Sequence, residues 1–215
     1  MSSIAIIDYG MGNLHSAAKA VARAVEDTKV FITNRPDEIL AADRVVFPGV
    51  GAIRDCMSGL QETELVEVIG QVSKQKPFLA ICVGMQALMD RSEENNGIDC
   101  LGMFRGEVKL FSDSMRDEVH DEKLKVPHMG WNQVDQKLDH PLWANIPDRS
   151  RFYFVHSYYV DALDSDVIAG TTDYGVQFTA SIAKDNIFAV QFHPEKSHKA
   201  GLQLLSNFAH WNGAF

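Results

Sequence analysis

The chain has 215 residues, 46% hydrophobic and 23% charged, a composition that suits one globular domain with a sizeable core. We therefore expect residues 1–215 to form a single domain. The formal net charge of -9 argues against a nucleic-acid partner, because phosphate binding requires a cationic surface. No apolar run approaches the roughly 20 residues that a membrane helix needs, and the N-terminus does not resemble a signal peptide.

The cysteine content predicts a protein of a reducing compartment. Cys56, Cys82 and Cys100 are an odd number, and the sequence contains no C-x-x-C pair. A disulfide framework is therefore not expected, and we predict a cytoplasmic protein. No cluster of residues has the spacing of metal ligands, so neither a metal nor a cofactor is predicted.

The first 90 residues alternate short apolar strands with helical patterns. We predict strands at 4–8, 29–33, 44–49 and 77–81. Asn13 can cap the first helix, and further helices are predicted around 52–60 and 62–75. Strands that alternate with helices predict a parallel sheet covered on both faces.

The region from about 100 to 195 is predicted to be mostly strands, interrupted by a solvated, mixed-charge loop at 112–125. A final helix follows, with Ser197 as its cap and an apolar stripe of Leu204, Leu205, Phe208 and Trp211. The fold class we predict is α/β, with a mixed, largely parallel central sheet flanked by helices. The predicted strands are GEVKLF, VPHMGWNQV, RFYFVHSYYV, VIAGTT, VQFTASIA and IFAVQFHP.

A possible nucleophile lies where the fourth predicted strand meets a helix. The frame AICVG places Cys82 between small residues, as in the G-x-S-x-G elbow of hydrolases, with Ala80 in place of the first glycine. A helix N-terminus at this point would favour a thiolate, and its free N–H groups could stabilise an oxyanion. The alternative is core packing, because free cysteine is among the most buried residue types.

A base for such a thiol is available near the C-terminus. In QFHPEKS, His193 and Glu195 are two residues apart at the end of an apolar run, so in an extended chain both point to one side. A carboxylate beside an imidazole fixes its tautomer and supports the imidazolium form. The alternative is a structural histidine. A zinc deaminase also uses H-x-E, but its P-C-x-x-C motif is absent.

Glycines also follow the third predicted strand. Gly49, Val50 and Gly51 in VVFPGVGAIRD would let the backbone approach a ligand and turn an N–H toward it, although an ordinary turn has the same composition. The early GMGNLH departs from the dinucleotide-binding pattern at His15, where a glycine is required. A Rossmann cofactor site is therefore rejected.

Together these segments resemble the class I glutamine amidotransferases. The pieces PGVG, AICVGMQ, FVHSYY and QFHPEKS occur in the family order, and DYGMGNL and MGWN are similar to the glutaminase subunits of imidazole glycerol phosphate synthases. The resemblance spans nearly the whole chain and implies a sheet of the flavodoxin-like type. Ala80 and Val83 depart mildly from the glycine and leucine that are common in the family.

The resemblance implies a role for each matching residue. Cys82, His193 and Glu195 would form a catalytic triad that hydrolyses L-glutamine through a glutamyl thioester. The Val83 amide and an amide of the Gly49–Val50–Gly51 strand would form the oxyanion hole. The residues expected to hold glutamine are Gln86, Ser157 and Tyr158.

The resemblance also implies a partner, a (β/α)₈-barrel cyclase subunit that would receive the ammonia within a heterodimer. This partner would make imidazole glycerol phosphate and an aminoimidazole carboxamide ribonucleotide in histidine biosynthesis. Asn13, Trp131, Tyr153 and Lys196 are the candidates for the partner face, and Trp131 could instead be a core tryptophan. Because the PGVG strand is flexible enough to hold its N–H turned away, we expect low activity without the partner.

Three alternatives stay open at this point. The first is a glutaminase with the same triad that serves another synthase, such as one for pyridoxal phosphate or anthranilate. The second is a protein of the same fold that uses Cys82 as a γ-glutamyl peptidase or a redox-sensing thiol. The third is a regulatory domain with a vestigial site. Cys56, Cys100, His128 and His210 receive no role.

Overall fold

The computed structural model describes residues 2–116 and 122–214. Its strands run in chain order as β1 (Ser2–Ile7), β2 (Thr28–Thr33), β3 (Arg44–Gly49), β4 (Phe78–Cys82), β5 (Met89–Ser92), β6 (Ile98–Asp99), β7 (Phe104–Leu110), β8 (His128–Gln133), β9 (Asp135–Gln136), β10 (Arg151–His156), β11 (Tyr158–Ala162), β12 (Ile168–Asp173), β13 (Gln177–Lys184) and β14 (Ile187–Val190). The helices are α1 (Leu14–Ala24), α2 (Pro36–Ala41), α3 (Ile53–Glu62), α4 (Leu65–Val72), α5 (Val83–Ala87) and α6 (His198–His210).

The main sheet is parallel on one side of β14 and mostly antiparallel on the other, where the pair of β5 and β7 is parallel. Its order is β2-β1-β3-β4-β14-β13-β11-β7-β5-β6, and pairing is parallel from β2 through β14. Strands β3 and β4 are almost completely buried, as expected for strands covered on both faces. The predicted α/β class, with a mixed sheet and flanking helices, is confirmed.

The position of β14 in the sheet determines where the site forms. This late strand pairs parallel with β4, and Val190 lies opposite Ile81. The chain segments that leave the two strands therefore emerge at the same edge of the sheet. In open α/β sheets, ligands bind in the crevice beyond this carboxyl edge. Strands β10 and β8 form a separate, two-stranded antiparallel sheet.

Two predicted helix caps lie at the expected positions but do not make the expected side-chain hydrogen bonds. Asn13 and Ser197 precede α1 and α6, but neither side chain makes a capping hydrogen bond. The Ser197 hydroxyl instead donates to the carbonyl of His193 at 2.6 Å and accepts from the amide of Tyr153 at 2.9 Å. The stripe predicted on the last helix is confirmed for Leu204, Leu205 and Phe208, which are buried; Trp211 is buried too but lies just beyond the end of α6.

Three further predictions need correction. The helix expected after Cys82 is α5, which has only five residues and is followed at once by the unpredicted β5. The strand expected through His193 ends at Val190, because the chain turns into a short 3₁₀ segment at Pro194–Lys196. Part of the loop predicted at 112–125, residues 117–121, lies outside the described residues. Met115, in its described part, is buried in the core rather than solvated.

Candidate active site

Cys82 occupies a sharp turn between β4 and α5. Its backbone has φ 55° and ψ -112°, a conformation that residues with a side chain rarely adopt. Backbone strain of this kind persists only where the surrounding structure holds it, and it is typical of a nucleophile elbow. The Cys82 side chain is buried, 4% exposed, but it lines a pocket.

The two glycines that flank the elbow explain how this turn fits. A Cβ placed on Gly84 would lie 2.3 Å from the carbonyl oxygen of Phe47, on the neighbouring strand β3. A Cβ on Gly49 would lie 2.5 Å from the amide nitrogen of Gly84. The end of β3 and the elbow therefore touch backbone to backbone, and both positions require glycine. Gly49 thus supports the elbow from behind and does not line the pocket.

The predicted His193 and Glu195 pair is formed, although not by the extended strand spacing that we expected. His193 Nδ1 lies 2.8 Å from Glu195 Oε1 across the start of the 3₁₀ turn. The His193 amide also donates to the Tyr153 carbonyl at 2.9 Å, on β10. Together with the two hydrogen bonds of Ser197, this contact fixes the turn that carries both side chains.

The surroundings of His193 favour its protonated form. Burial of the imidazole by itself lowers its pKa, but its interactions with Cys82 and then Glu195 outweigh that effect. The net result is that the pKa of His193 is raised to about 10. At neutral pH the ring can therefore hold the proton that a cysteine nucleophile must lose.

A cavity of about 410 Å³ opens in front of the thiol, a size typical of small-molecule sites. Its wall contains eight of the ten residues predicted for the triad, the oxyanion hole and substrate binding, the exceptions being Gly49 and Glu195. Those eight are Val50, Gly51, Cys82, Val83, Gln86, Ser157, Tyr158 and His193. The wall also contains Ala52, Glu94, Pro127, Val155 and His156, which the sequence analysis missed, and Lys196.

Two glutamines connect the pocket wall to the thiol. Gln86 Nε2 donates to the Tyr158 carbonyl at 2.9 Å and to Gln191 Oε1 at 3.1 Å. Gln191 Nε2 in turn donates to Cys82 Sγ at 3.7 Å. Gln191 is fully buried and was not predicted. Its position two residues before His193 is the only sequence signal that could have found it.

The end of β3 and the segment that follows it are held by one hydrogen bond at each end. The Tyr9 hydroxyl donates to the Pro48 carbonyl at 2.9 Å, and the Ile53 amide donates to Glu94 Oε2 at 2.9 Å. Between these anchors Gly51 has φ 88°, a conformation that favours glycine. Glu94 also brings a carboxylate to the pocket wall, which suits a cationic group on a ligand.

Three of the four predicted partner-face residues lie together. The Trp131 ring stacks on His198 at 5.0 Å and meets the Tyr153 ring edge-on at 6.0 Å. Lys196 Nζ lies 5.9 Å from the centre of the Tyr153 ring. Trp131 is 38% exposed, so the alternative of a core tryptophan is wrong. Asn13, the fourth candidate, is exposed at the start of α1.

The other two cysteines lack the environment of a reactive thiol. Burial raises the pKa of Cys56 and of Cys100 to about 12 in each case. Within residues 2–116 and 122–214, no group of three His, Cys, Asp or Glu side chains could hold a metal ion. The same residues contain no helix that is both long and apolar enough to span a bilayer.

Known proteins share both the sequence and the fold. The model of the family "Glutamine amidotransferase class-I" matches residues 5–211. The imidazole glycerol phosphate synthase subunit HisH of Acinetobacter baylyi is 59% identical, over 99% of this chain and 100% of its own length. The HisH of Pseudomonas syringae pv. syringae is 57% identical, over 99% of both chains.

Solved structures with little sequence identity have the same fold. PurLQS from Thermotoga maritima superposes with a TM-score of 0.71 at 13% identity, over 96% of this chain and 97% of that one. A glutamine amidotransferase from the same organism gives a TM-score of 0.59 at 17% identity, over 93% and 78% of the two chains. Fold, site geometry and sequence agree, and the chain belongs to the class-I glutamine amidotransferase family, among the HisH subunits of imidazole glycerol phosphate synthases.

Proposed function

We propose that the chain hydrolyses L-glutamine to glutamate and ammonia as the glutaminase subunit of imidazole glycerol phosphate synthase, in histidine biosynthesis. The observation that carries this proposal is the meeting of three features at one cavity. Cys82 lies there on a strained elbow, His193 interacts with its thiol, and Glu195 holds the far nitrogen of that imidazole. This arrangement matches the requirements of covalent catalysis by a cysteine.

The first half-reaction forms a thioester. His193 takes the thiol proton, and Cys82 Sγ attacks the carbonyl carbon of the glutamine side chain. The resulting oxyanion is stabilised by the Val83 amide and by an amide of the Gly49–Gly51 segment. The imidazolium then gives its proton to the amide nitrogen, the C–N bond breaks, and ammonia leaves a γ-glutamyl thioester on Cys82.

The second half-reaction returns the enzyme to its starting state. His193 removes a proton from a water molecule, and the hydroxide attacks the thioester carbonyl. The C–S bond breaks, glutamate leaves, and the proton on the imidazole restores the Cys82–His193 pair. Glu195 keeps the ring oriented throughout and favours its cationic form. Both steps use the same oxyanion site because each passes through a tetrahedral intermediate.

The pocket provides complementary groups for a free amino acid. The Glu94 carboxylate would pair with the α-ammonium group of glutamine. Gln86 donates both Nε2 hydrogens to the protein, so its Oε1 would accept a hydrogen bond from the substrate. Ser157 and Tyr158 also line the wall. This carboxylate and the polar groups beside it favour a small ligand with an ammonium group over an apolar one.

The partner that we propose is a (β/α)₈-barrel cyclase subunit, which would form a heterodimer with this chain and receive its ammonia. The cluster of Trp131, Tyr153 and Lys196 supports this docking face, because an exposed tryptophan beside a half-buried tyrosine and a cation is a typical interface anchor. Lys196 also lines the cavity, so the proposed face adjoins the site. The free cysteines suit a cytoplasmic complex.

Glutamate release tests the proposal. The chain is assayed with L-glutamine, alone and with the cyclase barrel plus its nucleotide ligand, and Cys82→Ala is the control. We expect a low rate for the chain alone, a strong increase in the complex, and no reaction with the variant. A high rate that the barrel does not change would contradict the partner, and no rate under any condition would contradict the glutaminase.

A further inference from the structure

A line of polar side chains, of which the two histidines are buried, runs from β8 to the pocket wall, outside the proposed triad. We call Asn132, His128 and His156 the histidine relay. Asn132 Nδ2 lies 3.4 Å from His128 Nε2, and His128 Nδ1 lies 3.0 Å from His156 Nε2. His156 Nδ1 then lies 2.8 Å from the carbonyl oxygen of Tyr158. The two histidines face each other across the β8–β10 pair.

Backbone groups fix the direction of every hydrogen bond in the relay. At one end, the Tyr158 carbonyl can only accept, so His156 must carry its proton on Nδ1. At the other end, the Asn132 side chain donates to the Asp173 carbonyl at 2.8 Å and accepts from the Gln133 amide at 2.8 Å. This orientation points its NH₂ group at His128 Nε2, which must therefore be an acceptor. His128 then carries its proton on Nδ1 and donates to His156.

We propose that His128 and His156 are positioning residues, held as neutral Nδ1–H tautomers, which orient the Tyr158 carbonyl and through it the Gln86 carboxamide for glutamine. Tyr158 O accepts from His156 on one side and from Gln86 on the other. The same Gln86 amide donates to Gln191, and Gln191 donates to the thiol. One directed network thus extends from β8 to Cys82. This inference rests on the proposed glutaminase activity only for its kinetic consequences.

The environment of both rings keeps them uncharged. Burial lowers the pKa of His128 to about 4. Burial, and then the neighbouring His128, lower the pKa of His156 to about 3. A neutral His156 matters for the site, because a second imidazolium there would oppose the proton on His193, with which His156 interacts electrostatically. A neutral imidazole can also accept at one nitrogen while it donates at the other, as the relay requires.

The packing around His128 provides a test that separates hydrogen bonding from shape. Its ring stacks on Tyr174 at 4.0 Å and on Phe154 at 4.9 Å. His128→Phe keeps an aromatic ring between these neighbours but removes the donor to His156. His128→Asn removes the ring but can keep an N–H close to the position of Nδ1. If His128 acts through packing, His128→Asn should be the more harmful variant. If it acts through hydrogen bonding, His128→Phe should be the more harmful one.

The kinetic experiment compares both variants with the wild-type chain in complex with the barrel. We expect His128→Phe to raise the KM for glutamine about tenfold with kcat within about threefold, because Gln86 is proposed to hold the substrate. His128→Asn should recover most of the lost affinity. An unchanged KM in His128→Phe, equal KM values in the two variants, or a larger KM in His128→Asn would overturn the proposal.

The spectroscopic experiment needs neither a variant nor glutamine. Nitrogen-15 NMR of the wild-type chain at neutral pH reports which ring nitrogen of each histidine is protonated. We expect the Nδ1–H tautomer at both His128 and His156. An Nε2–H tautomer or an imidazolium at either residue would overturn the relay. Because this readout is independent of activity, failure of the relay and failure of the proposed glutaminase can be told apart.

Discussion

Gly84→Ala tests the backbone contact that shapes the elbow. The new Cβ would lie 2.3 Å from the Phe47 carbonyl oxygen. Carbon and carbonyl oxygen normally stay about 3.3 Å apart, so the elbow and β3 would have to separate by roughly 1 Å. No rotamer change can relieve this contact, because the Phe47 oxygen belongs to the backbone and the new Cβ is bonded directly to the Cα of residue 84. Overpacking of this kind costs about 1–3 kcal/mol of the free energy of unfolding.

The expected result is a loss of both stability and activity. A cost of about 2 kcal/mol lowers the Tm by roughly 4–8 °C in a domain of this size. A displacement of about 1 Å beside the nucleophile lowers kcat/KM for glutamine by about 10²-fold. Thermal unfolding and glutamate release in the barrel complex measure the two quantities.

The matched control is Gly70→Ala, a glycine inside α4 where an added Cβ meets nothing within 4 Å. Alanine is a better helix former than glycine by about 1 kcal/mol, so this variant should unfold at an equal or higher temperature with unchanged kinetics. If Gly84→Ala kept the wild-type Tm and a kcat/KM within about threefold, the reasoning from this backbone contact would be refuted.

Three further predictions concern titration and reactivity. Glu195→Gln should lower the pKa of His193 and reduce kcat by roughly 10²-fold or more, measured by NMR titration and glutamate release; an unchanged pKa would contradict the assigned contact. A glutamine-analogue alkylator should label Cys82 and spare Cys56 and Cys100, as measured by mass spectrometry. Modification of Cys56 or Cys100 would contradict the assignment of Cys82 as the reactive thiol. The relay histidines have lowered pKa values, so their contribution to stability is complete above about pH 6.5 and is lost as pH falls toward 4. A Tm that stayed flat from pH 7 to 4.5 would disagree with this assignment.

The parallel half of the fold is the part that the sequence predicts best. Strand β3 is found at the predicted residues 44–49, and β4 is displaced by one residue from the prediction. These strands are buried on both faces, so nearly every residue in them is apolar and the pattern is strong. The helix α5 is shorter than the sequence suggests. The residues MQALM have helical composition, but the chain begins β5 at Met89, where it pairs with β7.

The site was predictable where the chemistry lies within a short motif. Cys82, His193 and the PGVG segment each carry a local signal, and the structure brings all of them to one pocket edge. The relay was not predicted, although Asn132 lies in MGWN and His156 in FVHSYY, because these segments are far apart in sequence and His128 and His156 meet through the β8–β10 register. The same is true of Glu94, which reaches the pocket from the segment after β5.

The central claim is that Cys82 forms a covalent intermediate with glutamine and that His193 serves both half-reactions. The most direct measurement is rapid-quench mass spectrometry of the barrel complex, mixed with L-glutamine. The account predicts a γ-glutamyl adduct that maps to Cys82 in the wild-type chain, appears before steady state, and is absent from Cys82→Ala. Glutamate formation at the normal rate by Cys82→Ala, or an adduct on another residue, would contradict it.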